Sequence, residues 1–424
     1  MKNTNISESD LPGSRQLLFP TILVISLFFL WALTSNLLPI LIPHLKKACH
    51  LNLTQSSLVD SAYWIAYFCM ALPAGMLMRK FGYKKTIITG LLMAAFGAFL
   101  FIPAATSRSY PFFLTALFIV ASGMTFLETS ANPFMTVLGN SETASQRLNF
   151  AQAFNGLGAF IASMFISKLI IDKNTISNDK IMSLTPDDLN IFYSELFEKV
   201  KLPYALIGII LVIVAALFIF TKFPVHNKKG DQKSNSGISM KDLLLYPQLT
   251  GGIIAQFFYV GAQVCVSSFF IVYARNVAGL SEYEATNYLG LLLLSFMLGR
   301  YAGTFLMRYI QPEKLLAAYA LINILLMLVV VFAGGKVSLA AFIGVEFFMS
   351  IMFPTIFSLA IKGLGDKTAV ASSFVVMAII GGALFPPLLG RIYDHYQSIQ
   401  SAYIIPLICF VPVLIFGYQR MKKA

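Results

Sequence analysis

The chemistry in this chain gathers in one stretch, Phe126-Leu127-Glu128-Thr129-Ser130-Ala131-Asn132-Pro133-Phe134, where a carboxylic acid and a carboxamide sit inside a long apolar run. An acid at the centre of a membrane helix costs about 2.5 to 3.5 kcal/mol on insertion scales, so such groups face a bundle interior or a watery cavity and mark a pathway. Asn132 follows Glu128 by one helical turn and shares its face. Pro133 has no N–H to give the carbonyl of Thr129, which leaves that oxygen for another partner. Further on, Gln152 and Asn155 adjoin on one face within Arg147-Leu148-Asn149-Phe150-Ala151-Gln152-Ala153-Phe154-Asn155-Gly156. Carboxamides both donate and accept, which suits a polyol whose hydroxyls do the same. They also serve as hydrogen-bonding glue between helices. With Glu128 close in sequence, a ligand site is the favoured reading.

Other candidates lie later in the chain. Gln256, Tyr259 and Gln263 form one polar stripe on an otherwise apolar helix, against which a sugar could lie, with Tyr259, Phe154 and Trp31 as rings for stacking. Glu346 begins a one-turn series with Ser350, Pro354 and Ser358, and so either looks onto a cavity, pairs with Arg300 or sits near a helix end. Asp60 opens a helix, where its charge either favours the helix dipole or takes part in ion coupling. Arg300 is read either as a snorkelling residue or as half of a gate ion pair.

These residues need helices to hold them, and the composition says what kind. The chain has 424 residues, 57% of them hydrophobic and only 12% charged, with a mean hydropathy of +0.75. That is a polytopic membrane protein. Apolar runs of about 20 residues, without the ten-residue alternation of an outer-membrane barrel, give an all-α fold. Twelve spans are expected, at roughly 19–43, 57–78, 85–105, 110–138, 149–171, 202–222, 247–274, 285–308, 314–334, 337–361, 369–393 and 399–419.

The net charge of +12 arises from Lys and Arg in short clusters between the spans, where they act as topology signals and do not point to nucleic acid. Arg79, Lys80, Lys84, Lys85, Lys222, Arg308, Lys314, Lys362, Lys367, Arg420 and Lys422 fall on one side, which the positive-inside rule makes cytoplasmic together with both termini. Lys46 and Lys47 oppose this assignment and are outnumbered. The four cysteines lack paired or metal-ligand spacing and read as small hydrophobes. The first apolar run is too long for a signal peptide and has no cleavage site, so it is expected to remain as span 1.

The polar stretch from Pro224 to Lys241 divides six spans from six. The expected organisation is a cytoplasmic segment 1–18, a six-helix bundle 19–222, a cytoplasmic linker 223–246, a second six-helix bundle 247–419 and a tail 420–424. The halves echo each other weakly, since Pro133 precedes Gln152 by the same interval that separates Pro354 from Ser373. Two pseudo-symmetric six-helix halves with a midplane site between them describe the major facilitator fold. The loop Gly75-Met76-Leu77-Met78-Arg79-Lys80-Phe81-Gly82-Tyr83-Lys84-Lys85 resembles the glycine and basic loop of that superfamily, with Gly75, Arg79, Lys80, Gly82 and Lys84 as its motif residues and its usual acid missing.

A closer resemblance runs through Leu127-Glu128-Thr129-Ser130-Ala131-Asn132-Pro133-Phe134, Val137-Leu138-Gly139 and Arg147 to Asn155. It continues in Tyr259-Val260-Gly261-Ala262-Gln263, Leu316-Ala317-Ala318-Tyr319-Ala320-Leu321-Ile322, Phe353-Pro354-Thr355-Ile356-Phe357-Ser358-Leu359 and Ile379-Ile380-Gly381-Gly382. These segments resemble the bacterial fucose:proton symporter family, which includes glucose/galactose transporters. The resemblance implies a sugar symporter of the inner membrane, with Glu128, Gln152 and Asn155 matching cavity residues of the family. In span 1, Asn36 matches, but Leu38-Pro39 stands where the family carries Asn-Asp. That aspartate is a proposed proton carrier, so its replacement leaves proton coupling, sodium coupling and uncoupled facilitation all open. Pro39 and Pro43 free carbonyls one turn earlier, which either kink the helix or bind a cation.

The expected function is secondary active import of a monosaccharide (fucose, glucose/galactose or an amino sugar) by alternating access. Asn36, Glu128, Asn132, Gln152, Asn155, Gln256, Tyr259 and Gln263 are the substrate candidates, and Glu128, Glu346 and Asp60 the ion-coupling candidates. No cofactor is expected beyond a proton or sodium as coupling ion; the partners are the sugar, that ion and the lipid bilayer, and the protein is read as a monomer. An intramembrane enzyme would need a nucleophile with its base or a metal cluster, and His44, His50, His226 and His395 lie in loops or near span ends with no such pattern. A non-transporting sensor would need a soluble output domain.

Overall fold

The computed structural model describes residues 14–35, 53–162, 186–223 and 240–422. Within them the chain is helical: α1 (Ser14–Ser35), α2 (Leu53–Ser107), α3 (Tyr110–Val137), α4 (Ala144–Ile161), α5 (Pro186–Phe220), α6 (Met240–Leu244), α7 (Pro247–Ser268) and α8 (Phe270–Ala278) come first. They are followed by α9 (Glu282–Leu306), α10 (Pro312–Phe332), α11 (Gly335–Met349), α12 (Met352–Ile361), α13 (Thr368–Met377), α14 (Gly381–Tyr396), α15 (Ile399–Ala402) and α16 (Ile404–Met421). Helix is the expected outcome in hydrocarbon, where each backbone polar group must be satisfied within its own segment. Prolines open α3, α7 and α10 in the first turn, where the missing N–H is not needed. A capping box of Ser281 and Glu284 starts α9.

Among the described residues, ten segments are long and apolar enough to cross a bilayer. One of them, Ala62–Ser107, has 46 residues, roughly twice what a bilayer of about 30 Å requires. Gly82, at φ 82°, breaks it and separates spans 2 and 3; a residue with a Cβ would be strained there. Helix α4 takes the place given to span 5. It begins earlier than expected, at Ala144, and α5 begins well before position 202, at Pro186. Four spans read as continuous are broken: span 7 at Phe269, span 10 at Ser350–Ile351, span 11 at the 3-10 turn Ala378–Ile380 and span 12 at Tyr403. Asn36, Pro39 and most of the linker, 224–239, lie outside the described residues, as does the side chain of Asp60.

Small residues let the helices of the first half approach closely, the usual device where lipid removes the hydrophobic drive for association. A Cβ on Gly123 of α3 would overlap the Ala94 backbone N–H and lie 2.6 Å from the Gly90 carbonyl oxygen.

The basic loops tie the helix ends of one face together, hereafter the basic face. Lys84 Nζ donates to the Ile219 and Thr221 carbonyls at 2.9 and 3.0 Å, Lys362 pairs with Glu313 at 3.1 Å, and Lys367 donates to the Tyr246 hydroxyl at 2.7 Å. The halves also latch to each other. Ser145 Oγ meets Ser358 Oγ at 2.7 Å, and Asn149 Nδ2 donates to Thr355 Oγ1 at 3.0 Å. Gln146 Nε2 reaches the Thr304 carbonyl at 3.4 Å.

Candidate functional site

Glu128 sits in the middle of α3 at 5% exposure. Its Oε2 and the neighbouring Thr129 hydroxyl are buried with no partner among the described residues. Buried polar atoms in native proteins nearly always have a partner, so an orphan carboxyl oxygen that lines a cavity marks a place where something binds. The acid lines a cavity of about 10 Å³ with Leu27, Phe28, Trp31, Leu127, Ala131 and Gln152. That volume holds roughly one water and no hexose. A sugar enters this cavity only when the helices around it separate.

The amides are placed around this acid. Asn132 Nδ2 donates to the Glu128 backbone carbonyl at 3.0 Å, and its Oδ1 accepts from Gln152 Nε2 at 2.9 Å. Asn132 thus sets the height of Gln152 beside the acid. Asn155 is half-buried and donates to the Phe28 carbonyl at a long 3.5 Å, which ties α4 to α1 and is the weakest of these bonds.

Two tyrosines complete the surroundings, and sequence reasoning passed over both. The hydroxyl of Tyr67 of α2 lies near the Glu128 carboxyl. The same hydroxyl accepts from Trp31 Nε1 at 2.6 Å and from the Tyr63 hydroxyl at 3.2 Å, and Tyr63 in turn meets Ser35 Oγ at 2.9 Å. The available signal was their one-turn spacing in Tyr63-Trp64-Ile65-Ala66-Tyr67, hidden by a composition rich in aromatics.

The residues proposed from the second half do not join this group. Tyr259 is wholly buried and donates to the Met349 carbonyl at 3.1 Å, which makes it a brace between α7 and the end of α11 in place of a ring stacked on sugar. Gln256 is also wholly buried, with both amide atoms unpartnered among the described residues, and Gln263 is half-buried. Glu346 is 2% exposed and accepts from Ser267 Oγ at 3.2 Å, not from Arg300. In the loop motif, Gly75 is buried against α13, Gly82 makes the break, and Arg79 and Lys80 are exposed.

Arg300 departs from both expectations. It is 4% exposed, so it does not snorkel, and its partners are carbonyls instead of an acid. Nε donates to Ser350 O at 2.9 Å and Nη1 to Gln152 O at 2.7 Å, with the guanidinium over Phe296. The Ser350 carbonyl is available because Pro354, one turn on, has no N–H to give it. Ser145, Asn149, Gln152 and Gly156 therefore form one stripe of α4 along which the second half is read, Gly156 lying against Met297. A lysine carries its donors on one nitrogen without the fork, so it cannot span the two carbonyls that Nε and Nη1 of Arg300 reach separately. Arg300→Lys is expected to lose one charged hydrogen bond, about 1.5 to 3 kcal/mol, and a thermal melt in detergent should show a lower midpoint with the protein still folded.

A model described as Major Facilitator Superfamily matches residues 23–386. The chain is 42% identical over its full length, and that of the relative, to the L-fucose-proton symporter of Escherichia coli (strain K12). It is 39% identical to the glucose/galactose transporter of Brucella abortus biovar 1 (strain 9-941), over 94% of this chain and 93% of that one. A crystal structure of the E. coli fucose:proton symporter superposes with a TM-score of 0.89, at 42% identity, covering 96% of this chain and 99% of that chain. A second crystal structure, described as the outward conformation, gives the same values.

Proposed function

The chain belongs to the major facilitator superfamily, and from that premise we propose that it carries a monosaccharide together with a proton across a bacterial inner membrane, as a monomeric secondary transporter and not as an enzyme. The observation that carries this reading is the convergence of Glu128 and of Gln152, which Asn132 holds, on a small cavity beside α1. Amides give and take hydrogen bonds as sugar hydroxyls require, and the acid is the group in that cavity able to hold a proton. The names of the relatives, for fucose and for glucose/galactose, agree with this chemistry. With the basic face cytoplasmic, as its clustered lysines and arginines favour, the latch of Ser145, Asn149 and Arg300 closes the cytoplasmic side. Rocking the halves about the midplane site then opens one side as the other closes. Sodium coupling or uncoupled facilitation is the second reading, favoured by Pro39 standing where the resemblance leads one to expect an acid.

The test is counterflow. Purified protein in liposomes preloaded with unlabelled sugar is expected to concentrate labelled L-fucose, D-galactose or D-glucose transiently, with one clearly preferred. Failure to exchange any of the three overturns the assignment of substrate class.

A further inference from the structure

Four hydroxyl-bearing or acidic groups on α1, α2 and α3 stand in line, and the lone pairs fix which way the hydrogens run. The Tyr67 oxygen accepts from Trp31 Nε1 and from the Tyr63 hydroxyl. A phenolic oxygen has two lone pairs, so both are filled and its own hydrogen is left for an acceptor nearby, where the Glu128 carboxyl lies. Tyr63 has spent its hydrogen on Tyr67, so at 2.9 Å from Ser35 Oγ it accepts and Ser35 donates. The hydrogen bonds run Ser35 to Tyr63 to Tyr67, all in one direction, and the Tyr67 hydroxyl ends the line beside Glu128. Accessibility falls along the same line: Ser35 and Tyr63 are partly exposed, Tyr67 is 1% and Glu128 5% exposed.

We propose that Ser35, Tyr63 and Tyr67 form a directed relay that delivers the coupling proton to Glu128, an inference resting on the proton-coupled reading above. A hydronium ion at the Ser35 end gives a proton to Ser35 Oγ while the Ser35 proton passes to Tyr63, the Tyr63 proton to Tyr67 and the Tyr67 proton to the carboxylate. As many O–H bonds form as break, one water is left behind, and every hydroxyl ends neutral. Rotation of the hydroxyls about their C–O bonds resets the line. Trp31 Nε1 holds the Tyr67 oxygen in place without taking a proton, since indole is only a donor.

Among the described residues, the titratable groups that act on the line are its own members: Glu128 of α3 faces Tyr63 and Tyr67, and these two face each other. Arg300 of α9 is turned to the Ser350 and Gln152 carbonyls. From α14, the neighbour of this stretch of α2 is Gly382, against the Trp64 ring. Asp60, one turn before Tyr63, has its side chain outside the described residues. The relay also accounts for how the acid could be loaded without a second carboxylate at position 39, which is proline in this chain.

The experiment compares wild type with Tyr67→Phe, Tyr63→Phe, Ser35→Ala and Ser35→Thr in proteoliposomes, with labelled L-fucose and D-galactose as probes. Two readouts are taken: counterflow, which needs no net proton movement, and accumulation driven by an imposed proton gradient across a series of external pH values. Both Phe variants and Ser35→Ala are expected to keep counterflow and to lose accumulation by roughly 100-fold or more, the scale of one positioned proton transfer. Their uptake should respond weakly to external pH, and Ser35→Thr should restore the wild-type profile. Wild-type accumulation in Tyr67→Phe overturns the relay, and so does a parallel loss of counterflow and accumulation, which is what a packing role produces. If wild type itself accumulates neither sugar on a proton gradient, the proton-coupled reading falls and the relay with it; if wild type accumulates and the variants match it, only the relay falls.

Discussion

Replacing Glu128 with glutamine is expected to abolish gradient-driven sugar accumulation while leaving sugar exchange largely intact. Glutamine keeps the shape and one carbonyl oxygen of a protonated carboxyl but cannot release a proton. Glu128 is the acid that faces the cavity with an unpartnered oxygen, and Asn132 and Gln152 are held to each other by side-chain contacts that do not use its carboxylate. The substitution therefore removes the coupling charge without unpinning the amides. A positioned proton-transfer group contributes roughly 100-fold or more, so net uptake on a proton gradient should fall by about that factor, read as initial rates in proteoliposomes. Counterflow measured in the same vesicles should stay near the wild-type rate. Wild-type accumulation in Glu128→Gln would remove the acid from the coupling mechanism and leave it a hydrogen-bonding role alone.

The second large effect is expected at Gly75, which lies where the first half meets α13 on the basic face. An added Cβ would overlap Ser373 Oγ and lie 3.0 Å from the Ala369 carbonyl oxygen and 3.1 Å from Ser373 Cβ. The hydroxyl can rotate away, but the backbone oxygen and Cβ cannot. Gly75→Val should therefore destabilise the latched conformation by about 1 to 3 kcal/mol, the usual range for overpacking. Because the clash exists only while the halves are closed on this face, the cost falls on one side of the conformational equilibrium and shifts it by about 5- to 150-fold. Transport should slow accordingly. A cysteine introduced at Ser358, buried in the latch against Ser145, should become reactive to a polar thiol reagent from the basic side in Gly75→Val and stay protected in the parent, in a background freed of native cysteines. Equal protection in both would show that Gly75 is not part of the closing contact.

What could be read from the sequence follows from where the physics is local. The crossings were legible because hydrocarbon admits only helices long enough to span it, and Glu128 because an acid in such a run is costly. The one-turn spacing of Asn132 to Glu128 was legible as a shared face, although the structure spends the Asn132 amide on a backbone carbonyl and on Gln152. The breaks at Phe269 and Ser350–Ile351 carry no proline or glycine at the break itself, so the runs looked continuous. Arg300 was misread for a different reason. Its partners are the Gln152 carbonyl on another helix and the Ser350 carbonyl that Pro354 leaves free, and a reading that looks for an acid to match a base finds neither. Tyr259 shared a stripe with Gln256 and Gln263, yet periodicity gives the shared face of a helix and not what that face meets, which here is the end of α11. Tyr63 and Tyr67 were hidden among 18 tyrosines and became distinct only when their hydroxyls were seen in line beside the buried acid.

The central claim is that Glu128 couples a proton to sugar movement in a chain with proline at position 39, and the most direct measurement imposes proton and sodium gradients separately on proteoliposomes and follows labelled L-fucose, D-galactose and D-glucose. The account predicts accumulation on an inward proton gradient alone, none on a sodium gradient alone, and loss of the proton-driven part in Glu128→Gln. Accumulation driven by sodium alone, or uptake that only equilibrates under both gradients, would contradict it.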